Sequence, residues 1–466
     1  MNKELVKLFD LLYEIKNKRI MVVGDIFLDE YLYGKINGVS TGVKIPIIEK
    51  EKIEKCLGGA ANIAGNIAGI SHNVSMIGGC GQDEYGNEIK RLFEEKKVKL
   101  YPLYMNKSIV KQRIYIDNQQ ISRIDYNEYC ECNLIDICNY VNEEKPEIII
   151  LADYQYGVIN QEIIDFIADY VNDKTIIFTS RKMESFNIEK LPVIVLNSHE
   201  MNSYLKDINN DKHKMKGKEF FVTHGEKGIE YIKGDERITI HTVPKYPVNV
   251  SGAGDTVISI ISLLYDSNIK IETVIKLANI AGGIAISNKL TYSLNISQVI
   301  DEFYSQSIKE NCEKKIIDTE TAKKIVKIWK NKKEKVVFTN GCYDLIHLGH
   351  IKSFHCAKEW GTKLIVALNS DDSIRRIKGE NRPINSLKER MKTLAFLEMI
   401  DMVLYFDDDT AVKMIKEIEP DVYVKGEEYR EKDIPEKQYV KEIKYVPMIQ
   451  GSSTTCLINK VIKSMN

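Results

Sequence analysis

The chain has 466 residues, more than one ordinary core holds and enough for two or three domains. Hydrophobic residues make up 44% and charged residues 29%, which excludes a chain disordered throughout. Lys plus Arg number 66 against 67 for Asp plus Glu, so net charge points to neither a nucleic-acid nor an anionic-membrane partner.

The N-terminal stretch MNKELVKLFDLLYEIKNKR is charged and amphipathic and lacks the apolar centre of a secretory signal. No apolar run is long enough to span a bilayer. The nine cysteines are scattered without a C-x-x-C pair, the usage of reduced thiols, and a cytoplasmic protein is expected.

From Arg19 onward, short apolar strands alternate with helices. R-I-M-V-V-G-D (19–25), E-I-I-I-L-A-D (147–153), T-I-I-F-T-S (175–180), V-I-V-L-N (193–197) and E-F-F-V-T-H-G (219–225) predict a mainly parallel, doubly wound α/β sheet. Asp25, Asp153, Asn197 and Thr223 fall at the C-terminal strand ends, where such sheets bind ligands. Segments 31–56 and 107–126 alternate polar and apolar residues, which predicts antiparallel strands of a small β lid beside the sheet. Charged residues dominate 308–333, read as a linker with a surface helix between a first domain, 1–307, and a second, 334–466. Strands restart with K-V-V-F-T-N-G at Lys335, then K-L-I-V-A-L-N-S-D (363–371), D-M-V-L-Y-F (401–406) and D-V-Y-V-K-G (421–426). They predict a smaller Rossmann-like α/β domain.

N-V-S-G-A-G-D-T (249–256) precedes an apolar helical run. Gly252, Ala253 and Gly254 can bring bare N–H groups to an anion at a helix start, with Asp255 in the cradle as a general base. Alone, the motif fits a capped tight turn equally well. L-G-G-A-A-N (57–62) opens a small-residue helix, and T-H-G-E-K-G (223–228) is a glycine loop suited to a nucleotide. N-S-H-E (197–200) offers Asn197 and Glu200 to Mg²⁺ and its waters.

Over residues 1–305 these segments resemble the ribokinase-type carbohydrate kinases. The resemblance makes Asp255 the catalytic base and Gly252, Ala253 and Gly254 the anion hole. It assigns Asn197, Ser198, His199, Glu200, Thr223, Gly225 and Gly228 to ATP, with Glu200 an indirect Mg²⁺ ligand. It assigns Asp29, Gly58, Gly59 and Asn62 to sugar hydroxyls. Lys111, Arg113 and Arg123 are candidate ligands for a substrate phosphate.

F-T-N-G-C-Y-D-L-I-H-L-G-H (338–350) is the most specific motif in the chain. His347 and His350 share one face at a helix start, where imidazoles can donate to an α-phosphate. A metal site, or two buried polar residues, are the alternatives, the first lacking a third ligand. Lys378 and Arg382 flank a glycine turn, Arg390 follows on a helix, and G-S-S-T-T (451–455) offers an anion site at a helix start. A solvated charged face and a plain N-cap are the bland readings. This unit resembles the cytidylyltransferase-like nucleotidyltransferases, in which a phosphate oxygen attacks the α-phosphorus of a nucleoside triphosphate. The resemblance gives catalytic roles to His347, His350 and Lys378. It lines the nucleotide site with Thr339, Asn340, Gly341, Asp344, Asn369, Asp371, Arg382, Lys425, Gly426, Ser453, Thr454 and Thr455.

A kinase followed by an H-x-G-H transferase is similar, end to end, to the bifunctional heptose enzymes of bacterial surface-polysaccharide synthesis. N-Q-Q (118–120) and R-I-D (123–125) belong to that match. It implies phosphorylation of D-glycero-β-D-manno-heptose 7-phosphate at the anomeric oxygen and, after a separate phosphatase has removed the 7-phosphate, adenylyl transfer from ATP to the heptose 1-phosphate. ATP as substrate, Mg²⁺ and a homodimer through the lid are expected. The kinase half departs from the family pattern at S-T-G-V-K-I-P (40–46), at Tyr156 where a Lys is common, at Ser180-Arg181-Lys182 where Asp-Pro-Lys is usual, and at Asn249. Another sugar phosphate, or a kinase half kept only as a binding module, are therefore alternatives. An aminoacyl-tRNA synthetase is disfavoured by the absence of a basic tRNA-binding region.

Overall fold

The computed structural model describes residues 3–447 except 118, 171–174, 210–211, 244, 246, 268 and 289–292. Two compact units emerge, Asp10–Val299 and Met1–Phe9 with Ile300–Asn466. Among the described residues no helix is long and apolar enough to cross a membrane.

Among the described residues, thirteen strands build the first unit. They are β1 (Arg19–Gly24), β2 (Ile26–Val39), β3 (Pro46–Gly59), β4 (Asn73–Gly81), β5 (Lys99–Met105), β6 (Val110–Ile116), β7 (Gln119–Tyr126), β8 (Ile148–Asp153), β9 (Thr175–Ser180), β10 (Val193–Asn197), β11 (Glu219–Thr223), β12 (Ile229–Lys233) and β13 (Glu236–Ile240). Nine form one sheet in the order β13-β12-β11-β10-β9-β8-β1-β4-β5. Pairing is parallel from β5 to β11, and β12 and β13 add an antiparallel edge. Central strands such as I-I-I-L-A-D are buried at every position, as strands covered on both faces must be. One face packs Met21, Val23, Ile149, Leu151, Phe178 and Ile194 against the buried sides of helices Leu134–Glu144, Gln161–Tyr170 and Ser198–Asp207. Helices Ala60–Ala68, Ala253–Leu264 and Ile271–Ile286 pack together elsewhere in the unit.

The remaining four strands form the lid, in the order β3-β2-β6-β7. The outer pairs β2–β3 and β6–β7 are antiparallel as expected, but the central pair β2–β6 is parallel. Alternation reports which face a residue takes and not the direction of its partner, so this pairing was hidden. The 40–46 segment lies at the tip of the long β2–β3 hairpin. Ser40 N donates to Ile45 O at 2.9 Å there. Eleven residue steps separate Ser40 from Asp29, roughly 35 Å at about 3.3 Å per residue. The sequence departure at 40–46 therefore lies far from the Asp29 end of the same lid.

In the second unit, β14 (Val336–Gly341), β15 (Lys363–Asn369), β16 (Met402–Phe406), β17 (Val422–Gly426) and β18 (Ile443–Val446) form an all-parallel sheet ordered β16-β15-β14-β17-β18. The short, half-buried β18 lies outside the strands expected from the sequence. Order reverses at β14, so its C-terminal end is a topological switch point, where doubly wound sheets hold ligands. The charged 308–333 stretch contains the helix Thr319–Asn331, capped by Asp318, which accepts from Thr321 N at 2.8 Å. Its Ala322, Ile325, Val326 and Trp329 are buried, and Trp329 Nε1 donates to Asp301 at 2.9 Å.

Candidate active sites

In the first unit, helix Ala253–Leu264 starts on Gly252, whose φ of 77° is left-handed. No side chain caps this start, and a Cβ on Gly254 would meet nothing within 4 Å. The result is an open, amide-lined turn able to accept an anion. Asp255 lies in its first turn. Asn62 Nδ2 donates to its Oδ2 at 2.8 Å, and Tyr154 Oη donates to its Oδ1. Burial raises the Asp255 pKa above the usual carboxylate range, with Asp29 adding to the rise. The Asn62 and Tyr154 hydrogen bonds and the charge of Arg181 oppose it.

Asn62 is aimed by helix Ala60–Ala68, which begins at Gly59. With φ at +60°, a Cβ on Gly59 would lie 2.4 Å from the Phe27 ring. That close approach explains the glycine pair at the end of β3. Asp29 on β2 is buried and ion-pairs with Arg113 on the adjacent β6. Lys111 points to the same face as Arg113. Its Nζ sits 3.5 Å from the Phe27 ring centroid and 5.3 Å from that of Tyr156. Burial, then the charge of Arg181, brings the Lys111 pKa down to about 8. Arg123 on β7 is exposed and pairs with Asp125 at 2.8 Å.

Asp25 organises the loop after β8. Its carboxylate accepts N–H groups from Tyr154 at 2.7 Å and from Tyr156 and Val158 at 3.1 Å. Burial outweighs these donations and lifts its pKa to about 6. The loop thereby carries Tyr154 to Asp255 and Tyr156 to Lys111.

On the nucleotide side, Asn197 accepts from His199 N at 2.9 Å and Glu200 N at 3.0 Å, and Glu200 accepts from Asn197 N at 2.7 Å. This reciprocal capping box gives N-S-H-E a structural job at a helix start. Burial raises the Glu200 pKa. Ser198 Oγ donates to Thr223 O at 3.1 Å, tying β10 to β11. Gly225 takes φ of +59° and Gly228 +98° in the following turn.

In the second unit, His347 precedes helix Leu348–Glu359. The His347 and His350 rings stack at 3.8 Å, and neither buried Nδ1 has a hydrogen-bond partner. Burial lowers both pKa values, and with the His347 charge adding it takes His350 down to about 4. Two neutral imidazoles with unspent nitrogens suit donation to a phosphate. Among the described residues no group of three His, Cys, Asp or Glu gathers to hold a metal. Lys378 is exposed at the end of its helix. Burial raises the Cys342 pKa, and the charges of Lys378, Arg390 and Arg382 oppose that rise.

Several predicted ligands are also framework. Asp344 accepts from Arg382 Nε at 2.6 Å, Ile384 N at 2.8 Å and Asn385 N at 2.9 Å. Burial pushes its pKa up, but these donors together hold it below the usual range. Asn340 Oδ1 accepts from Tyr423 Oη at 2.7 Å and Lys425 Nζ at 3.0 Å, and burial lowers the Lys425 pKa. Thr339 Oγ1 donates to Val424 O at 3.0 Å, and Asn369 Nδ2 to Ser373 Oγ at 3.0 Å. Arg390 is fully buried and donates to the carbonyls of Cys342 at 2.6 Å, Asn369 at 3.0 Å and Asn385 at 3.1 Å, and to Asp371 at 2.6 Å. It staples the site rather than reaching into it.

Comparison with known proteins joins the two sites. Residues 193–299 match the model of the pfkB family of carbohydrate kinases, and 338–464 match the cytidylyltransferase-like model. Bifunctional protein HldE of a Nitratiruptor species is 31% identical over 462 residues, covering 95% of this chain and 99% of that protein. HldE of Sulfurimonas denitrificans is 32% identical over 469 residues, covering 95% and 97%. The chain belongs to the HldE family. It is thus an enzyme with a carbohydrate-kinase half and a nucleotidyltransferase half. Phosphofructokinase-2 from Escherichia coli shares the kinase fold, with a TM-score of 0.51 at 14% identity over 62% of this chain and 99% of that one.

Within this HldE-family chain, the structure gathers Asp255, Asn62, Gly252, Ala253 and Gly254 at one helix start. It gathers His347, His350 and the Asp344 loop at another. Ser453, Thr454 and Thr455 lie outside the described residues, as does position 118. Sequence reasoning missed three residues of the kinase site: Asp25, Tyr154 and Arg181. Asp25 was seen only as a strand-end residue, and Arg181 only as a departure from the family pattern. The signal for Tyr154 was its place directly after Asp153 at the end of a buried strand.

Proposed function

We propose that the first unit phosphorylates D-glycero-β-D-manno-heptose 7-phosphate at its anomeric oxygen, and that the second transfers AMP from ATP to the heptose 1-phosphate, giving ADP-heptose and pyrophosphate. The observation that carries the kinase reading is the buried Asp255, held by Asn62 and Tyr154 beside an uncapped glycine turn. Its carboxylate takes the proton of the attacking hydroxyl, and the turn's N–H groups receive charge from the transferring phosphoryl group. ATP binds with Mg²⁺, whose waters Asn197 and Glu200 would meet. Asp29, Gly58, Gly59 and Asn62 hold sugar hydroxyls. Lys111 and Arg113 meet the acceptor's own phosphate, with Arg123 at the outer edge.

In the second unit no protein nucleophile is needed. His347, His350 and Lys378 receive charge on the α-phosphate, while Arg382, Lys425 and the strand-end residues position the nucleotide. The unspent Nδ1 atoms of the two histidines support this role.

The exposed apolar residues of the lid and its hairpin tip, among them Ile36, Val39, Val43, Ile45, Ile121 and Tyr126, favour a homodimer through the lid. The balanced charge and free cysteines favour work in the cytoplasm.

Tyr156 in place of a lysine favours one second reading, in which the same kinase chemistry serves a different sugar phosphate. Measuring ADP and pyrophosphate release over a panel of heptose, sedoheptulose and hexose phosphates separates the two. Fastest ADP release with the heptose 7-phosphate supports the first reading; preference for another acceptor establishes the second.

A further inference from the structure

Among the described residues, Arg181 is an arginine of the kinase site without an ion pair. Arg113 is ion-paired with Asp29, and Arg123 with Asp125. Among the described residues no carboxylate pairs with Arg181. Yet its place is well defined. Ser180, the last residue of β9, donates its hydroxyl to Asp153 at 2.5 Å, and Arg181 N donates to Asp153 O at 3.4 Å. The guanidinium then lies 5.0 Å from the ring centroid of Tyr154, the tyrosine whose hydroxyl donates to Asp255. It is exposed, so a ligand can reach it.

Its field spans the whole site. The positive charge is felt at Asp255, at Glu200 on the nucleotide side, and at Lys111 on the sugar side. An unpaired guanidinium, set against the ring of the tyrosine that holds the base, has the chemistry to grip oxygens of a phosphoryl group in flight.

We propose that Arg181 is the catalytic cation that meets the transferring γ-phosphoryl group. This rests on the kinase reading above. In the step, the acceptor hydroxyl oxygen bonds to the γ-phosphorus while its proton passes to the Asp255 carboxylate. The bond from that phosphorus to the β–γ bridging oxygen breaks, and ADP leaves with the electron pair. Negative charge spreads over the three equatorial oxygens at mid-transfer. The N–H groups of the 252–254 turn take part of it, and the forked guanidinium takes another part. Because the grip strengthens as the bond breaks, its loss lowers kcat more than it raises either KM.

The test uses the full-length chain with Arg181→Ala, Arg181→Gln and Arg181→Lys. With the best acceptor of the panel, Ala and Gln should each lower kinase kcat by about 100-fold, the scale of a lost oxyanion donor. KM for ATP and acceptor should stay near wild type, and Lys should recover part of the loss. Adenylyltransferase activity of the same preparations should be unchanged, which reports intact protein. Calorimetric titration with Mg-ADP, with and without aluminium fluoride as a phosphoryl mimic, gives an acceptor-free readout. Wild type should bind the fluoride complex at least about tenfold tighter than Mg-ADP, and Ala and Gln should lose that margin while binding Mg-ADP normally. Unchanged kcat, a rise confined to acceptor KM, or a retained fluoride margin each overturns the proposal. Absence of acceptor-dependent turnover in wild type would count against the kinase reading itself, and the fluoride titration would still judge Arg181.

Discussion

The phenol of Tyr154 donates to Oδ1 of Asp255, linking the loop after β8 to the first turn of helix Ala253–Leu264. With Asn62 on the other oxygen, the carboxylate is held at both atoms in a buried setting that raises its pKa. Replacing Asp255 with Asn should cut kinase turnover by about 10²–10⁴-fold and leave adenylyl transfer intact. Separate assays of ADP and pyrophosphate release on one preparation check this.

Tyr154→Phe removes a donor that stabilises the charged carboxylate. The Asp255 pKa should then rise further. The acid limb of kinase kcat/KM, which follows protonation of this base, should move to higher pH. A pH–rate profile of wild type and variant shows the shift; a coincident acid limb would mean the hydrogen bond does not tune the base.

Lys111 titrates at about 8 because burial disfavours its charge. Below that pH it is a cation able to hold a phosphate, and above it the charge is lost. Acceptor KM should therefore rise as pH passes through about 8, and Lys111→Arg should abolish that rise. KM measured across the range tests it, with ATP saturating throughout.

Much of the architecture could be read directly. Apolar runs such as V-I-V-L (193–196) are buried at each position because the sheet is covered on both faces. The parallel β2–β6 pairing could not be read, since alternation carries no strand direction. Arg390 looked like a phosphate ligand because an arginine after a glycine turn is usually exposed. Its burial depends on carbonyls of Cys342 and Asn369, distant in sequence, that only folding brings to it. Glu200 read as a metal-side acid, yet its spacing from Asn197 is also that of a capping box, and the structure forms one. Local spacing cannot separate the two uses, and both can hold.

Because Arg390 serves four protein acceptors with no exposed surface, Arg390→Met should destabilise the second unit by about 3–5 kcal/mol. Chemical denaturation followed by transferase activity and by fluorescence of Trp329 and Trp360 reports that unit alone. Loss of activity without loss of stability would make Arg390 a ligand after all.

His350, at about 4, is neutral throughout the physiological range, and burial also holds His347 below its ordinary value. His350→Ala should lower adenylyl transfer by about 10²–10³-fold, the cost of one oxyanion donor, with kinase turnover unaffected. Between pH 6 and 8 the wild-type transferase should show no limb attributable to this residue. A limb there that vanishes in the variant would show that the imidazolium, not the neutral ring, acts.

The two-activity account is tested most directly by phosphorus NMR of the full-length protein with Mg-ATP, supplied first with D-glycero-D-manno-heptose 7-phosphate and then with the β-heptose 1-phosphate. The account predicts a new anomeric phosphate signal with the 7-phosphate retained in the first sample, and paired ADP-sugar diphosphate and pyrophosphate signals in the second. Folded protein that yields neither product, while another sugar phosphate reacts in its place, would contradict the heptose assignment.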